Sequence, residues 1–347
     1  MTTTIKLTQY AKGAGCGCKI SPAILEQMLN TTRSYATKGL LIGNATNDDA
    51  AVYDLQNGTA LVITADFFMP IVDDAFTFGQ VAAANAISDV YAMGATPITA
   101  IAILGWPIDK LSAELAALVL EGARNICEQA GIVISGGHTI DAPEPFFGLS
   151  VNGIVAKENI KQNNTSKTGD SILLTKPIGV GILATAQKRG LLKEEDYNIL
   201  ISQLIELNFF GQVLGKEKDV HAMTDVTGFG LLGHLVEMSE GANLTAKINY
   251  HSVPKIAAAI AYAKQGVVPD ATYRNWNAHE KKVLINSSVD AMESFTLLPD
   301  PQTNGGLLIS VKPSECERIK ALATSCGMSI TEIGVFVNKE IYSVIVE

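Results

Sequence analysis

The sequence predicts two mixed domains of the α/β or α+β class, preceded by a short glycine- and cysteine-rich segment. Three observations predict this. The chain has 347 residues, more than a single hydrophobic core usually serves. It is 47% hydrophobic and 18% charged, which supplies apolar mass for two cores and argues against disorder. Apolar runs of strand length alternate with helix-length stretches on both sides of a polar segment, residues 157–168.

About the first 35 residues lack this rhythm, and 1–40 is expected to form a mobile N-terminal segment with a short helix. Gly13, Gly15 and Gly17 alternate with small residues, so the backbone carries a high ordering entropy and is expected to be mobile until something binds. Ser21-Pro22 then opens a short amphipathic helix, with Ile24, Leu25, Met28 and Leu29 on one face. A first domain is expected over 41–156. It has strands near 50–55 and 60–65, a helix over 78–93, a buried strand over 98–104 and a long helix over 112–130. Gly131 stops that helix, and strands at 132–135 and 148–155 follow. The segment 157–168 reads as an interdomain linker. A second domain is expected over 169–347. Its strands lie near 171–175, 243–248, 306–311, 329–335 and 341–346; its helices near 181–188, 198–214, 230–238, 256–264 and 313–326. Parallel and antiparallel sheets both remain open, because helices can cover one face of either.

Charge and cysteine usage narrow the partners. The formal net charge is -9, so neither nucleic acid nor an anionic membrane is an expected partner. An anionic substrate would need a metal ion or a few placed cations. The five cysteines are irregularly spaced, which implies no disulfide framework and suits a reducing, cytoplasmic setting. The N-terminus shows no signal-like apolar run, and the longest apolar stretch, 98–106, is too short to span a bilayer.

Several carboxylates sit at strand ends and turns. Asp48-Asp49 closes an Asn-rich turn; adjacent acids repel unless a cation neutralises them, although a solvated turn would also explain them. Asp66 ends an apolar strand. Asn85 and Asp89 share one face of an apolar helix, where an acid calls for a partner or a metal. Asp225 is delivered by a short strand to a glycine turn. Together they are hard oxygen ligands with no His or Cys beside them, which suits Mg²⁺ on phosphates rather than Zn²⁺.

The glycine motifs are weaker. Gly228 to Gly233 matches G-x-G-x-x-G, but no acid follows about twenty residues later, so a dinucleotide site is rejected. Neither a P-loop nor a protein-kinase motif set occurs. Ser135 to Thr139 reads as a strand-to-loop turn able to hold phosphate oxygens, and Asp300 to Gly306 as a turn ahead of a strand. In Gly15-Cys16-Gly17-Cys18-Lys19 the thiols are too few for a closed zinc site and wrongly spaced for a redox C-x-x-C. A nucleophile is favoured, with Lys19 promoting the thiolate and small neighbours leaving the sulfur accessible.

In this order the loop, the Asp48-Asp49 turn, Asn85 to Asp89, Gly136 to Thr139, Asp225 to Gly230 and Asp300 to Thr303 resemble selenophosphate synthetase, from about Leu7 to the C-terminus. The relatives of that family are aminoimidazole ribonucleotide synthetase, thiamine-monophosphate kinase and a hydrogenase maturation factor. The resemblance implies two aminoimidazole-ribonucleotide-synthetase-like domains and a homodimer with the nucleotide site near its interface. The implied enzyme is an ATP-dependent phosphotransferase turning ATP, hydrogen selenide and water into selenophosphate, AMP and phosphate. It further implies Cys16 and Lys19 as catalytic, with Lys19 on the phosphates. Thr46, Asn47, Asp48, Asp66, Asp89, Gly137, His138 and Thr139 would form the ATP site, and Asp49, Asp89 and Asp225 would be the Mg²⁺ ligands. A selenium-delivery protein is a further conceivable partner. Two positions depart from the family: Asn47 stands where Arg is frequent, and Asn304 where Ser is frequent. A small-molecule kinase of the same superfamily and a non-catalytic selenium carrier are the rival readings.

Overall fold

The computed structural model describes residues 5–19, 24, 28, 38–43 and 48–347. The expected Ser21-Pro22 helix, apart from isolated positions, and Thr46 and Asn47 lie outside the described residues, as does the side chain of Cys18.

The first half builds a six-stranded sheet. Its strands are β1 (Leu40–Ile42), β2 (Ala51–Asp54), β3 (Thr59–Phe68), β4 (Thr96–Trp106), β5 (Ile134–Asp141) and β6 (Phe146–Ala156), in the order β1-β2-β3-β6-β4-β5. Every pairing is antiparallel except the edge pair β4 and β5. Along β3 buried and open positions alternate, the signature of a sheet covered on one face. The cover is two helices, α1 (Ala75–Ala92) and α2 (Ala113–Gln129). Asp74 caps α1 by accepting from the Thr77 amide at 2.8 Å. A Cβ on Gly79 would lie 1.8 Å from the Val119 carbonyl, and one on Gly122 1.8 Å from that of Phe76, so only glycines permit this backbone approach.

The second half builds a seven-stranded sheet from β7 (Ser171–Leu174), β8 (Val220–Asp225), β9 (Leu244–Ile248), β10 (Val283–Ile285), β11 (Leu307–Val311), β12 (Thr331–Asn338) and β13 (Val344–Val346). The order is β10-β13-β9-β12-β7-β11-β8, antiparallel except for the two pairings of β13. Its helices are α3 (Val180–Lys188), α4 (Glu194–Ile205), α5 (Phe210–Gly215), α6 (Gly230–Gly241), α7 (Ala257–Lys264), α8 (Asp270–His279), α9 (Ala291–Leu297) and α10 (Cys316–Ser325).

Helix α1 is buried almost all round because it serves both halves. It lies under its own sheet and also against β8, α4 and α5. The polar segment 157–168 is packed too: Lys161 and Asn163 are buried, and the Lys161 ammonium donates to the Glu217 and Val220 carbonyls, each at 2.8 Å. No described helix is long and apolar enough to cross a membrane.

Three expectations change. The single helix over 198–214 is two, α4 and α5. Between them Asn208 turns inward and donates to Ser88 Oγ and the Gly305 carbonyl, both at 2.8 Å, so tertiary hydrogen bonds break the helical pattern. The turn expected at 136–139 is strand, because β4 supplies parallel backbone partners to its glycines. Helices α8 and α9 and strands β1 and β10 were not anticipated; α8 is polar overall and α9 only seven residues long.

Candidate active site at the junction of the two halves

Residues separated widely in sequence meet at the buried end of α1. Thr64 and Asp66 project from the covered face of β3, and Asn85, Ser88 and Asp89 from α1. Asp48 and Asp49 enter from the turn before β2, and Thr224 and Asp225 from the end of β8. The acids are held by neutral donors. Thr64 Oγ1 donates to Asp89 at 2.5 Å, Ser88 Oγ to Asp225 at 2.5 Å and Thr224 Oγ1 to Asp49 at 2.7 Å. Asp48 accepts from the Asn163 amide at 2.9 Å.

These carboxylates lack enough positive charge. Burial, then Asp225 and Asp89, push the Asp49 carboxyl up. Burial, then Asp225 and Asp66, do the same to Asp89. Burial also raises Asp225, against the hydrogen bond from Ser88. The second oxygen of Asp49 is buried with no hydrogen-bond partner, an arrangement that a cation would repair. Asp49, Asp89 and Asp225 therefore fit a hard divalent ion in chemistry. Among the described residues they do not bring three oxygens within 4.8 Å of one another, so oxygens from a phosphate or water would have to complete any coordination shell. The one cluster of that spacing among the described residues, Cys316, Glu317 and Glu332, already holds Lys320 Nζ at 2.8 and 2.9 Å from its two carboxylates.

Onto this acidic cleft docks the N-terminal segment. Gly15–Cys18 forms one 3₁₀ turn. The Cys16 amide donates to Thr303 Oγ1 at 3.0 Å, and its thiol donates to Asn85 Oδ1 at 3.3 Å. Cys16 is completely buried here, which corrects the expectation of an accessible sulfur: the glycines that free the backbone also let it pack into the junction. A Cβ on Gly228 would lie 2.7 Å from the Cys16 carbonyl, so the glycine turn after β8 is the seat of the loop. Lys188 Nζ gathers the Ala11, Lys12 and Gly13 carbonyls at 2.9, 3.0 and 3.2 Å.

Lys19 reaches past Cys16 into the acids. Its ammonium is 3.3 Å from Asp66 Oδ2, with 39% of the side-chain surface still open. Desolvation opposes its charge, but Asp66, Cys16, Asp89 and Asp225 outweigh this and hold its pKa above the ordinary lysine value. Asp66 also accepts from Asn85 Nδ2 at 2.6 Å.

The structure thus brings together Cys16, Lys19, Asp49, Asp66, Asp89 and Asp225, with Asp48 at the margin. It does not bring Gly137, His138 and Thr139 to them. Asp66, Leu149, Ala102 and Gly137 form one register row across β3, β6, β4 and β5, so Gly137 stands about 14 Å from Asp66. It is on an exposed edge strand. Sequence reasoning noted Asn85, Thr303 and Asn304 but gave none of them a place in the site. The turn containing Thr303 and Asn304 is wholly buried beneath Cys16, and the Asn304 amide donates to Asn85 Oδ1 at 2.7 Å. The cue was present: a polar Asp300-to-Asn304 run leads directly into an apolar strand.

The chain matches the AIR synthase related protein families, the N-terminal domain over residues 47–155 and the C-terminal domain over 167–347. Its fold is shared by thiamine-monophosphate kinase from Stenotrophomonas maltophilia, with a TM-score of 0.65 at 21% identity over 94% of both chains. It is shared as well by the hydrogenase maturation protein HypE in complex with ATP, with a TM-score of 0.64 at 18% identity over 96% of this chain and 90% of that one. A selenide, water dikinase of Escherichia coli is 51% identical over 95% of this chain and 94% of its own length. Another, from Photorhabdus laumondii, is 50% identical over 100% of this chain and 99% of its own. On these whole-length likenesses, and with two matched domains, the chain belongs to the selenide, water dikinase family.

Proposed function

We propose that the protein converts ATP, hydrogen selenide and water to selenophosphate, AMP and phosphate, as its family membership suggests, with the cleft under the Cys16 loop as the reaction site. One observation carries this reading: a thiol and a lysine dock on a set of carboxylates whose burial, reinforced at Asp49 and Asp89 by mutual repulsion, calls for cations. Phosphoryl transfer depends on positioning and charge neutralisation, which such a cleft can supply.

Asp49, Asp89 and Asp225 are the residues that would hold Mg²⁺. Bound there, Mg²⁺ would neutralise phosphate oxygens and let an acidic protein accept a triphosphate. Lys19 would move from Asp66 to a phosphate oxygen, an exchange of one anionic partner for another. Asn85 would keep the Cys16 thiol aimed into the cleft, and the packed loop would keep water from the selenide. Thr46, Asn47 and Asp48 would complete the nucleotide site.

Gly137, His138 and Thr139 lie too far from Asp66 to share one phosphate with it. A homodimer accounts for them. The uncovered face of the first sheet exposes Ile63, Phe67, Ile101 and Ile154, an apolar surface suited to a second copy, and His138 adjoins it through Ile103. In this reading residues 41–156 and 169–347 are the two domains, residues 1–40 carry the catalytic loop, and the enzyme works in the cytoplasm, where thiols stay reduced.

Phosphorus NMR on Mg-ATP with and without selenide tests the reading. Selenophosphate with AMP is expected; ADP with another phosphorylated product would indicate a small-molecule kinase, and no ATP consumption a carrier. Full selenide-dependent turnover by Cys16→Ser would remove Cys16 from the chemistry. Cys18→Ser is expected to be the milder change.

A further inference from the structure

A second cleft lies on the other side of the Cys16 loop. It has a volume of about 450 Å³ and is lined by the N-terminal segment, α3 and the start of α8. Four cations border it, Lys12, Lys188, Arg189 and Arg274, against one acid, Asp270. Among the described residues none of the four cations forms an ion pair. The side chains of three of them donate to neutral carbonyls: Lys188 to residues 11–13, Arg189 to Gly266 at 3.3 Å and Arg274 to Gly17 at 2.8 Å, while the Lys12 backbone amide donates to Glu144 at 3.0 Å. An excess of positive charge gathered around one concavity is unusual on a chain of net charge -9. It gives that concavity a local attraction for anions that the rest of the molecule opposes.

The cleft adjoins the Cys16 loop on the side away from the thiol's contact with Asn85. A narrow cavity of about 10 Å³ is lined by Cys16, Gly17, Lys19 and Arg274, and Gly17, Ala271 and Arg274 line both spaces. Arg274 stands at the join, holding the Gly17 carbonyl next to Cys16. The carboxylates of the acidic cleft line neither space, so an anion coming this way does not have to pass them.

We infer that this basic cleft is the entrance by which selenide, a small monoanion at neutral pH, reaches Cys16, separately from the nucleotide. The inference rests on the reaction proposed above. It divides the traffic by charge: the nucleotide approaches the acidic cleft as its metal complex, and the bare anion approaches from the basic side. Selenide needs no metal on this route, because Lys12, Lys188, Arg189 and Arg274 supply the counter-charge.

Two measurements on the whole protein test it. Lys12→Glu with Arg189→Glu reverses the cleft's charge at two exposed side chains that touch neither Cys16 nor the acids. The double variant is expected to lose about tenfold in kcat/KM for selenide at low salt, with KM for ATP unchanged and the deficit shrinking at high salt. The second measurement needs no turnover. The rate of Cys16 alkylation by anionic iodoacetate, relative to neutral iodoacetamide and resolved from Cys18 by fragment-ion masses of their shared peptide, is expected to fall about tenfold in the same variant. Unchanged kcat/KM for selenide together with an unchanged alkylation ratio would overturn the entrance. A lower kcat at saturating selenide with kcat/KM intact would assign the cleft to product release, and would equally overturn it. If the unaltered protein consumes no ATP with selenide while the alkylation ratio still falls, the reaction is wrong and the anion entrance stands.

Discussion

The Cys16 thiol donates to Asn85 Oδ1 across 3.3 Å, while the other end of the same amide donates to Asp66 at 2.6 Å. Asn85 therefore ties the thiol to the acid paired with Lys19. Asn85→Ala leaves buried groups without partners, which costs about 1–3 kcal/mol. It is expected to lower selenide-dependent kcat on the order of tenfold to a hundredfold, with a lower Tm. Steady-state AMP formation and thermal melts measure both, and wild-type kcat in a folded Asn85→Ala protein would disprove the positioning role.

Gly228→Ala tests the seat of the loop. The added methyl would fall 2.7 Å from the Cys16 carbonyl and 3.3 Å from Lys19 Cδ, so the loop must lift. Turnover is expected to drop by about tenfold or more, since a small misplacement of reacting groups is costly. The cores are untouched, and a Tm change below about 3 °C is expected. Normal kinetics would mean that the loop does not react from this docked position.

Metal dependence follows from the crowded acids. At pH 8 and without metal, Asp49→Asn removes one of three mutually repelling carboxylates and is expected to raise Tm by about 2–4 °C, roughly 1 kcal/mol. Mg²⁺ is expected to stabilise the unaltered protein and to stabilise Asp49→Asn much less. Differential scanning fluorimetry with and without Mg²⁺ reads both. Equal Mg²⁺ responses would exclude Asp49 as a ligand.

Stability should also fall with rising pH through a second buried acid. Burial pushes the Asp300 carboxyl up to about 8, against hydrogen bonds from Gln302 and the Gly181 amide. The folded state then binds a proton that the unfolded state has released. Stability is full below the unfolded carboxylate range and declines as pH rises from about 4 to 8, by several kcal/mol at most. Asp300→Asn is expected to flatten that decline while leaving the slope contributed by Asp49, Asp89 and Asp225. Urea melts at pH 5 and 8 compare the two proteins, and identical slopes would mean that Asp300 is ionised in the fold.

Local chemistry was legible in the chain. Apolar runs of strand length and helix-length apolar stretches marked β3, β6, α1 and α2, because those elements bury a face that their own residues define. The run Gly15 to Lys19, the Asp48-Asp49 turn, Asp66, Asp89 and Asp225 stood out because an acid or a thiol in an apolar or glycine-rich setting needs a partner. Which partner each would find depended on contacts between residues 19 to 175 positions apart, and no local pattern encodes those. Only the tertiary structure buried Cys16 against Asn85, split the helix at Asn208 and packed the 157–168 segment. It also accounts for Asn304, a position where the resemblance implied Ser. At φ 48° the backbone is left-handed, which Asn tolerates well, and its side chain donates to the Leu204 and Glu206 carbonyls at 2.8 Å, a span a Ser hydroxyl is too short to bridge. The sequence alone determined which groups can do the chemistry, since that is a property of residue type. Packing of α1 between the two halves decided which of them meet, since burial and hydrogen-bond satisfaction are settled only when the whole chain has closed around them.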